Sequence, residues 1–509
     1  MKKLVLALAI GAMIMGFASM AAAEVTVGGS AEIRYDLWKN LDLNTGASNS
    51  QTTNFFDERV MVNVDAKIAE GLEGFVEFDT DNQNWGQTTS PFNIPTYLNH
   101  EFGSSAGGVH GNVVDVRQAW INAMVPGIPV GVKIGHQPLA LGHGIWLDTH
   151  RYGSDAILVY SKPTPALLIA AAYVQMSQNG PTNLTNMNNS AFGRITPGIP
   201  GIIPTVDLSK DTTAAHSGVN AYAALANFTW MENNTIGFNG TYVRDNGSLS
   251  PIFGDDHRIW ATNAAIVADG TIAALSYRGE LDWLHVDTEN VFGTKSYIVN
   301  GYAGMLGADM KLMNVATVGA EVAYGSGNSS NEPQIFYNPG ATTTGGSRQQ
   351  DHAYYTPYNN TSYNYAFLYN DKIGQGPLGS GGGYGFGDGY GGFGLANTGY
   401  AKISAGFTPT DKLKIGVSGL YLWASEAMLP GQSRDLGWEV DGNVGYKLYE
   451  NLSLDLTGGV FDPGAWYAFK GIQNTAAGSL ITNPDILKSD GTLKRNVAWG
   501  AETKLTMKF

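Results

Sequence analysis

Three histidines and an aspartate are the residues of this chain whose spacing most suggests a metal site. His136, His143 and His150 repeat every seven residues, and Asp148 lies beside the last of them. A zinc ion would need such ligands to meet it at about 2.0–2.1 Å, but on a strand followed by a loop this spacing gives the imidazoles no shared face. We therefore expect these histidines to form local hydrogen bonds, and we predict no metal site here.

A second candidate is the segment DTDNQN, in which Asp79, Asp81 and Gln83 have the spacing of ligands in a calcium-binding loop. Gly86 is displaced from the position of the sharp turn, and Ser90 stands where a bidentate glutamate belongs. We keep Asp79 and Asp81 as calcium candidates, although solvated carboxylates at the end of a strand fit the pattern better.

The sequence does not have the spacing of catalytic machinery. Ser154 lies near His150 and Asp155, but this arrangement is not diagnostic of a hydrolase. The glycine-rich stretch 376–394 is followed by neither a helix pattern nor a Lys-Ser/Thr pair, as a phosphate-binding loop would be. The chain contains no cysteine, which excludes disulfides, a thiol nucleophile and covalently attached haem. We predict no catalytic residue, no cofactor and no enzymatic activity.

Charged side chains instead recur at every second position of several segments. In GSAEIRYDLW, Glu32, Arg34 and Asp36 alternate with residues such as Ile33 and Tyr35. Successive side chains of a strand point to opposite faces, so this segment has one polar and one apolar face. The alternation recurs in RVMVNVDAKI, LGWEVDGNVGY and NLSLDLTGG. Such segments run to roughly 10–14 residues, longer than most globular strands and sufficient to cross a bilayer at a tilt.

The whole chain divides into eighteen candidate strands. They span residues 24–38, 55–67, 72–85, 113–125, 129–137, 155–163, 166–177, 218–231, 234–246, 258–268, 271–286, 297–312, 315–326, 398–409, 412–426, 434–448, 451–462 and 494–509. Connections after odd-numbered strands are long, and those after even-numbered strands are tight turns such as AEGL, TP and DG. We therefore predict an all-β fold, a transmembrane antiparallel up-and-down β-barrel of about 18 strands with short periplasmic turns and long extracellular loops.

Both ends of the chain fit an exported barrel. The segment MKKLVLALAIGAMIMGFASMAAA has two lysines, an apolar run and small residues at its end, which is the layout of a secretory signal peptide over residues 1–23. The last segment, WGAETKLTMKF, alternates up to Phe509, which we expect on the lipid side at the periplasmic interface. Residues 24–509 form one predicted barrel domain, in which 327–397 is a long Gly/Tyr-rich extracellular or constriction loop.

Composition narrows the class of protein further. Beyond the signal peptide no run of 18 apolar residues occurs, so we expect no transmembrane helix. Only 15% of the residues are charged, while 25 tyrosines and 11 tryptophans give the aromatic-rich profile of a β protein. The 44 acidic residues outnumber the 30 basic ones, which argues against nucleic acid as a partner.

If the apolar faces contact lipid, the polar faces line the interior. The predicted pore-lining residues are Glu32, Arg34, Asp36, Asp65, Lys67, Glu77, Asp115, Arg117, Lys133, Arg278, Glu280, Glu439, Asp441, Asp455, Glu502 and Lys504. So many ionisable groups are tolerable only beside water or opposite charge. Since barrels of about 16–18 strands are wide enough for an aqueous channel, we predict a porin for passive diffusion of small hydrophilic solutes. The excess of acid predicts a mild preference for cations.

Two stretches resemble the alginate-export type of bacterial outer-membrane β-barrel. They are residues 116–157 and residues 436–466. The matching positions in the second stretch are Gly437, Glu439, Asp441, Tyr446, Asn451, Leu452, Phe461, Pro463 and Gly464. The resemblance implies an eighteen-stranded barrel. His136 and Ile145 stand where that family places arginines, so we do not carry alginate over as the substrate.

Two other functions remain open at this point: substrate-specific transport of a polysaccharide or oligosaccharide, as the resemblance implies, and surface adhesion or binding through the long loops. The expected location is the bacterial outer membrane. The expected partners are outer-membrane lipid and lipopolysaccharide, small hydrophilic solutes and further copies of the chain. The ending also resembles the C-terminal signature of outer-membrane barrels, which implies that the barrel-insertion machinery reads the strand ending in Phe509.

Overall fold

The computed structural model describes only part of the chain. The described residues are 24–41, 52–80, 83–85, 114–150, 153–175, 217–246, 258–289, 296–329, 349–355, 363–370, 372–373, 394–427, 431–468 and 496–509. The predicted signal peptide (1–23) and most of the glycine-rich stretch 376–394 lie outside them. No helix within the described ranges is long and apolar enough to cross a membrane.

Eighteen long strands form the wall of a closed antiparallel barrel. They are β1 Glu24–Lys39, β2 Thr52–Ala69, β3 Leu72–Asp79, β4 Asp115–Met124, β5 Val130–Gln137, β6 Ser154–Thr164, β7 Leu167–Gln175, β8 Ser217–Trp230, β9 Asn234–Asn246, β10 Arg258–Ile272, β11 Leu275–Glu289, β12 Tyr297–Leu312, β13 Ala316–Gly325, β14 Thr398–Thr410, β15 Leu413–Ala424, β16 Asp435–Tyr449, β17 Leu452–Pro463 and β18 Ala498–Lys508. Each strand pairs with its neighbours in sequence. The predicted fold and strand number are confirmed.

Three short elements supplement the wall. Gln83–Asn84 pairs with the start of β2 at Asp57 and Glu58. Gln349–Asp351 runs parallel to the start of β12. A 3₁₀ turn, Ala465–Ala468, follows β17.

The barrel closes where the first strand meets the last. β1 pairs antiparallel with β18, from Ser30 opposite Lys508 to Lys39 opposite Trp499. Phe509 continues the ladder, because its amide donates to the Gly29 carbonyl at 3.1 Å and its carbonyl accepts from the Gly29 amide at 2.9 Å. The ring of Phe509 is 57% exposed on the outer surface. The last residue is therefore part of the wall, as the alternating ending of the sequence predicts.

The connections alternate in length as expected. After even-numbered strands none exceeds five residues (125–129), whereas the shortest after an odd-numbered strand, 290–296, has seven. All tight turns therefore lie at one end of the barrel and all long connections at the other. We call these the turn end and the loop end.

One predicted turn is wrong. We expected Asp269 and Gly270 to form the turn between β10 and β11, since Asp-Gly is a strong hairpin signal. The ladder continues past them, with Gly270 opposite Tyr277, and the turn lies at residues 273–274. A Cβ atom on Gly270 would collide with the hydroxyl of Tyr277, which donates to Asn234 at 2.8 Å. Glycine is needed here to admit a ring, so it does not mark a turn.

The strands alternate between an exposed apolar outer face and a polar inner face. Leu281 is 68% exposed on the outside, while its neighbours Glu280 and Asp282 are buried. Trp438 and Val440 are likewise exposed on either side of the buried Glu439. An apolar outer wall and a polar interior are what a barrel in lipid requires.

A compact core lies inside the barrel at the loop end. It is formed by two stretches of the long connections that fold inward, which we call inner segment 1 (residues 139–150) and inner segment 2 (residues 363–370), together with residues 353–355. They pack against inward side chains at the loop ends of the strands, such as Trp38 and Phe461. This core fills part of the lumen, and inner segment 1 reaches as far as Glu280, which lies in the half of β11 nearer the turn end.

Closure of the barrel generates a testable prediction at Gly29. A Cβ atom there would overlap the carbonyl oxygen of Met61 and lie 2.8 Å from the Phe509 ring. Gly29→Val should therefore disturb the pairing of β1 with β2 and with the C-terminus, and it should lower the yield of folded barrel. The matched control is Gly406→Val in β14, where nothing lies within 4 Å of the added atom. The heat-modifiable band of the folded barrel on SDS gels measures both variants, and equal yields would contradict the prediction.

Candidate functional site

A cluster of four charged side chains lies inside the barrel where β1 meets β2 and β18. The Arg34 guanidinium donates to Asp57 at 2.6 Å and lies 3.2 Å from Asp36 and 3.7 Å from Glu502. Asp57 and Asp36 are almost fully buried. One arginine therefore contacts carboxylates from all three strands at the closure seam.

Two further arginines continue along the wall next to this cluster. Arg59 forms a bidentate salt bridge with Asp79, with Nε 3.0 Å from each carboxylate oxygen. Arg117 donates to Glu77 at 2.6 Å and to the backbone carbonyl of His150 at 2.6 Å. The second contact ties the wall to the end of inner segment 1. Asp79, the calcium candidate, is thus the partner of an arginine, and Asp81 lies outside the described residues.

On the opposite side of the lumen, Arg278 lies between two carboxylates. It forms salt bridges with Asp309 and, at 2.6 Å, with Glu321. The other oxygen of Glu321 accepts from the Tyr400 hydroxyl at 2.6 Å, and Tyr400 is 2.9 Å from the hydroxyl of Tyr363 in inner segment 2. A hydrogen-bonded chain therefore connects the charged wall to the second inner segment.

Inner segment 1 is attached to one of a pair of buried carboxylates on β11. The backbone amide of His143 donates to Glu280. Gly142 has φ +57°, and a Cβ atom there would come within 2.5 Å of both Glu280 oxygens. The segment therefore needs glycine to bring its backbone onto the carboxylate. Asp282, next on the inward face, accepts from the Asn263 amide at 3.1 Å.

Inner segment 2 is attached to a second pair of carboxylates, on β16. Glu439, fully buried, accepts from the backbone amides of Leu368 at 2.6 Å and Tyr369 at 2.8 Å. Asp441 accepts from the amide of Phe367 at 3.3 Å. Three successive amides of the segment thus point at two wall carboxylates.

Aromatic rings fill the space between the inner segments and the wall. Trp146 contacts Tyr354 edge to face, with ring centroids 6.2 Å apart. Burial raises the pKa of the Tyr354 hydroxyl well above its ordinary value, and the nearby charge of Asp282 adds to the effect. Tyr354 therefore stays a neutral phenol. Tyr365 stacks on Tyr400 with centroids 4.3 Å apart.

Lys133 lies toward the turn end of the lumen wall. Its ammonium lies 3.7 Å from the centroid of the Trp120 ring. Five other predicted lining residues lie on the inward face of their strands. Glu32 is on the same face of β1 as Arg34, and Asp65 is on the same face of β2 as Asp57. Lys504 lies opposite Arg34, Asp455 lies opposite Lys504, and Lys67 is exposed near the turn end. The side chain of Asp115 lies outside the described part of the chain.

The three histidines contact three different carboxylates. His136 is 2.8 Å from Asp155, His150 is 2.8 Å from Asp148, and His143 Nε2 is 3.3 Å from Asp269. The structure does not bring the imidazoles together. Among the described residues no group of three or more histidine or carboxylate side chains could hold a metal ion.

Sequence reasoning missed several residues of this site. Asp57 and Arg59 share the parity of Asp65 in β2, so extending the alternation toward the start of that strand would have found them. Tyr363, Leu368 and the rest of inner segment 2 could not have been found in this way, since the segment has no strand periodicity. Its place in the lumen depends on contacts with residues about seventy positions away, such as Glu439.

Comparison with known proteins finds likeness in structure only. No family model matches the chain, and no curated protein matches it in sequence. The crystal structure of Acinetobacter baumannii OccAB1 superimposes with a TM-score of 0.52 at 10% identity, covering 95% of this chain and 96% of that one. The chain has the porin barrel fold.

Two other solved structures are similar over the same extent. Pseudomonas aeruginosa OccK11 (OpdR) matches with a TM-score of 0.49 at 9% identity, over 96% of each chain. A BenF-like porin from Pseudomonas fluorescens Pf-5 matches with a TM-score of 0.48 at 8% identity, over 96% of this chain and 98% of that one. The resemblance to alginate-export barrels stays a prediction, since no family model matches.

The seam cluster predicts a large effect of removing its arginine. Arg34→Gln leaves Asp36, Asp57 and Glu502 close together without their shared cation, and breaking a buried ion pair costs about 3–5 kcal/mol. We expect a lower midpoint of urea unfolding in lipid vesicles, with partial recovery when Asp57→Asn is added.

The matched control is Arg258→Gln. Arg258 is 61% exposed and lies 3.7 Å from Glu289, so its loss should cost about 0–1 kcal/mol. Equal effects of the Arg34 and Arg258 variants would show that the seam cluster does not stabilise closure.

Proposed function

We propose that this protein is an outer-membrane porin, a water-filled channel for the passive diffusion of small hydrophilic solutes. One observation carries the proposal: a closed barrel with an apolar outer wall has charged side chains along its inner wall. Of these, Asp65, Asp455, Glu502 and Lys504 are partly exposed to solvent. Charges inside a barrel in lipid require water or opposite charge, and a wet interior is a path for solutes.

The inner segments support small solutes over polymers. Inner segments 1 and 2 enter the lumen from its loop end and are held to the wall at two places five strands apart, Glu280 on β11 and Glu439 on β16. They narrow the passage, and a polysaccharide exporter would need a wide continuous path. The polar wall and the porin fold also support a channel over an enzyme or an adhesin.

The charge of the wall supports a mild preference for cations. Arg34, Arg59, Arg117 and Arg278 are each engaged with at least one carboxylate. Asp65, Asp455 and Glu502 add partly exposed carboxylates to the same wall. Carboxylates therefore set the excess charge of the inner wall.

Single-channel recording in a planar bilayer tests the proposed function. The purified protein should insert and give steady steps of conductance, because the lumen is wet. Conductance that one particular sugar blocks would favour a substrate-specific channel. Absence of any conductance from protein that is folded by its heat-modifiable band would contradict the proposal and favour an adhesion or binding role.

Ion selectivity is measured separately, from the reversal potential across a gradient of potassium chloride. We expect a sign that shows mild cation preference. Glu502→Gln, which removes one partly exposed carboxylate of the wall, should move the reversal potential toward zero. Strong anion preference in the unaltered protein would overturn this assignment.

A further inference from the structure

The turn of inner segment 2 that faces β16 has two backbone amides aimed at a single carboxylate. Leu368 and Tyr369 donate to the two different oxygens of Glu439, at 2.6 and 2.8 Å. The carbonyl of Leu368 in turn accepts from the amides of Lys372 and Ile373 at 2.8 and 2.7 Å. The Glu439 side chain therefore caps the start of this turn, where the backbone amides point away from the turn.

The side chain of Glu439 is fully buried. Its neighbours in β16, Trp438 and Val440, are exposed on the outer face, so only Glu439 and Asp441 point from this part of the strand toward the segment. A buried carboxylate is costly unless it is hydrogen-bonded, and the amides of inner segment 2 supply those bonds. The carboxyl group of the wall and the backbone amides of the segment therefore supply hydrogen-bond partners for each other.

Apolar packing around this turn is close but does not fix its direction. Leu368 lies near Gly459 and Gly500, and Phe367 lies 5.4 Å from Trp38, centroid to centroid. Hydrophobic contact is non-directional, whereas hydrogen bonds to two defined oxygens set the orientation of a backbone. Inner segment 1 has a single bond of this kind, from the His143 amide to Glu280, at a separate place on the wall.

We propose that Glu439 is a positioning residue of the channel: it holds inner segment 2 across the lumen and thereby sets the width of the passage, without contacting the permeating solute. This inference rests on the proposed channel function for its effect on conductance. The position of the segment itself is measurable without any conduction.

The first test is Glu439→Gln. A carboxylate has two acceptor oxygens, but a carboxamide has one, and its NH₂ group would face an amide N–H of the segment. We expect the segment to leave its place, so that single-channel conductance rises by roughly twofold or more, because the narrowest section sets conduction. The matched control is Glu289→Gln, which makes the same substitution at the exposed loop end of β11, where Glu289 lies 3.7 Å from Arg258.

The second test reports position directly. The chain has no cysteine, so Ala366→Cys introduces a single thiol into inner segment 2 at a site that is 3% exposed. Alkylation by a water-soluble thiosulfonate should be slow in this background and in the version with Glu289→Gln. It should be at least about tenfold faster with Glu439→Gln, since reaction follows exposure of the thiol. The heat-modifiable band confirms that each variant is folded before it is compared.

The outcomes separate this inference from the proposed function. Faster alkylation together with higher conductance, both absent in the control, supports the inference. Unchanged alkylation and unchanged conductance in a conducting, folded Glu439→Gln barrel overturn it and leave the channel intact. Faster alkylation in a barrel that never conducts, in any variant, supports the positioning role while it overturns the channel. A variant with Glu439→Gln that does not fold is replaced by Glu439→Asp, whose shorter side chain retracts the carboxylate, and the same two readouts decide.

Discussion

Main-chain hydrogen bonding in lipid is the constraint on which the rest of this structure depends. No water is present in the hydrocarbon layer, so each N–H and C=O of a strand there needs a partner in the protein. Eighteen strands meet this requirement only because β1 pairs with β18 over their shared length and the pairing extends to Phe509. Closure then forces a sharp division between an outer apolar face and an inner face that can hold charge. The ion cluster of Arg34 lies on the inside of this seam and joins its three strands.

The inner face shows two uses of buried ionisable side chains. Arginines such as Arg59 and Arg278 form salt bridges with carboxylates one or two strands away, and these stay on the wall. Glu280 and Glu439 instead reach backbone amides of the two inner segments. Loop residues can lie inside a barrel only if their own main-chain groups are paired, and the wall carboxylates supply acceptors for them. The polar interior of the barrel therefore also holds the two inner segments in place.

Most of the barrel wall could be predicted from the sequence, but little of what lies inside the barrel. Alternation and the lengths of connections are local properties, so strands such as β1 and β16 and the closing role of Phe509 could be predicted from them. The turn predicted at Asp269-Gly270 is wrong, because the strand pairing continues through these residues and Gly270 leaves room for the ring of Tyr277. Parity could also place Arg34 and Glu439 on the inner face. It could not show that Glu439 meets Leu368, because that contact depends on how a long connection folds back through the lumen.

Cross-linking across the seam tests closure most directly, since the chain has no cysteine of its own. Leu37 lies opposite Ala501 in the ladder between β1 and β18. The pair Leu37→Cys and Ala501→Cys should form a disulfide in the folded barrel, whereas Leu37→Cys with Leu505→Cys, whose partner is Ile33, should not. Absence of the first disulfide in folded protein, or equal formation of both, would contradict a barrel closed in this register.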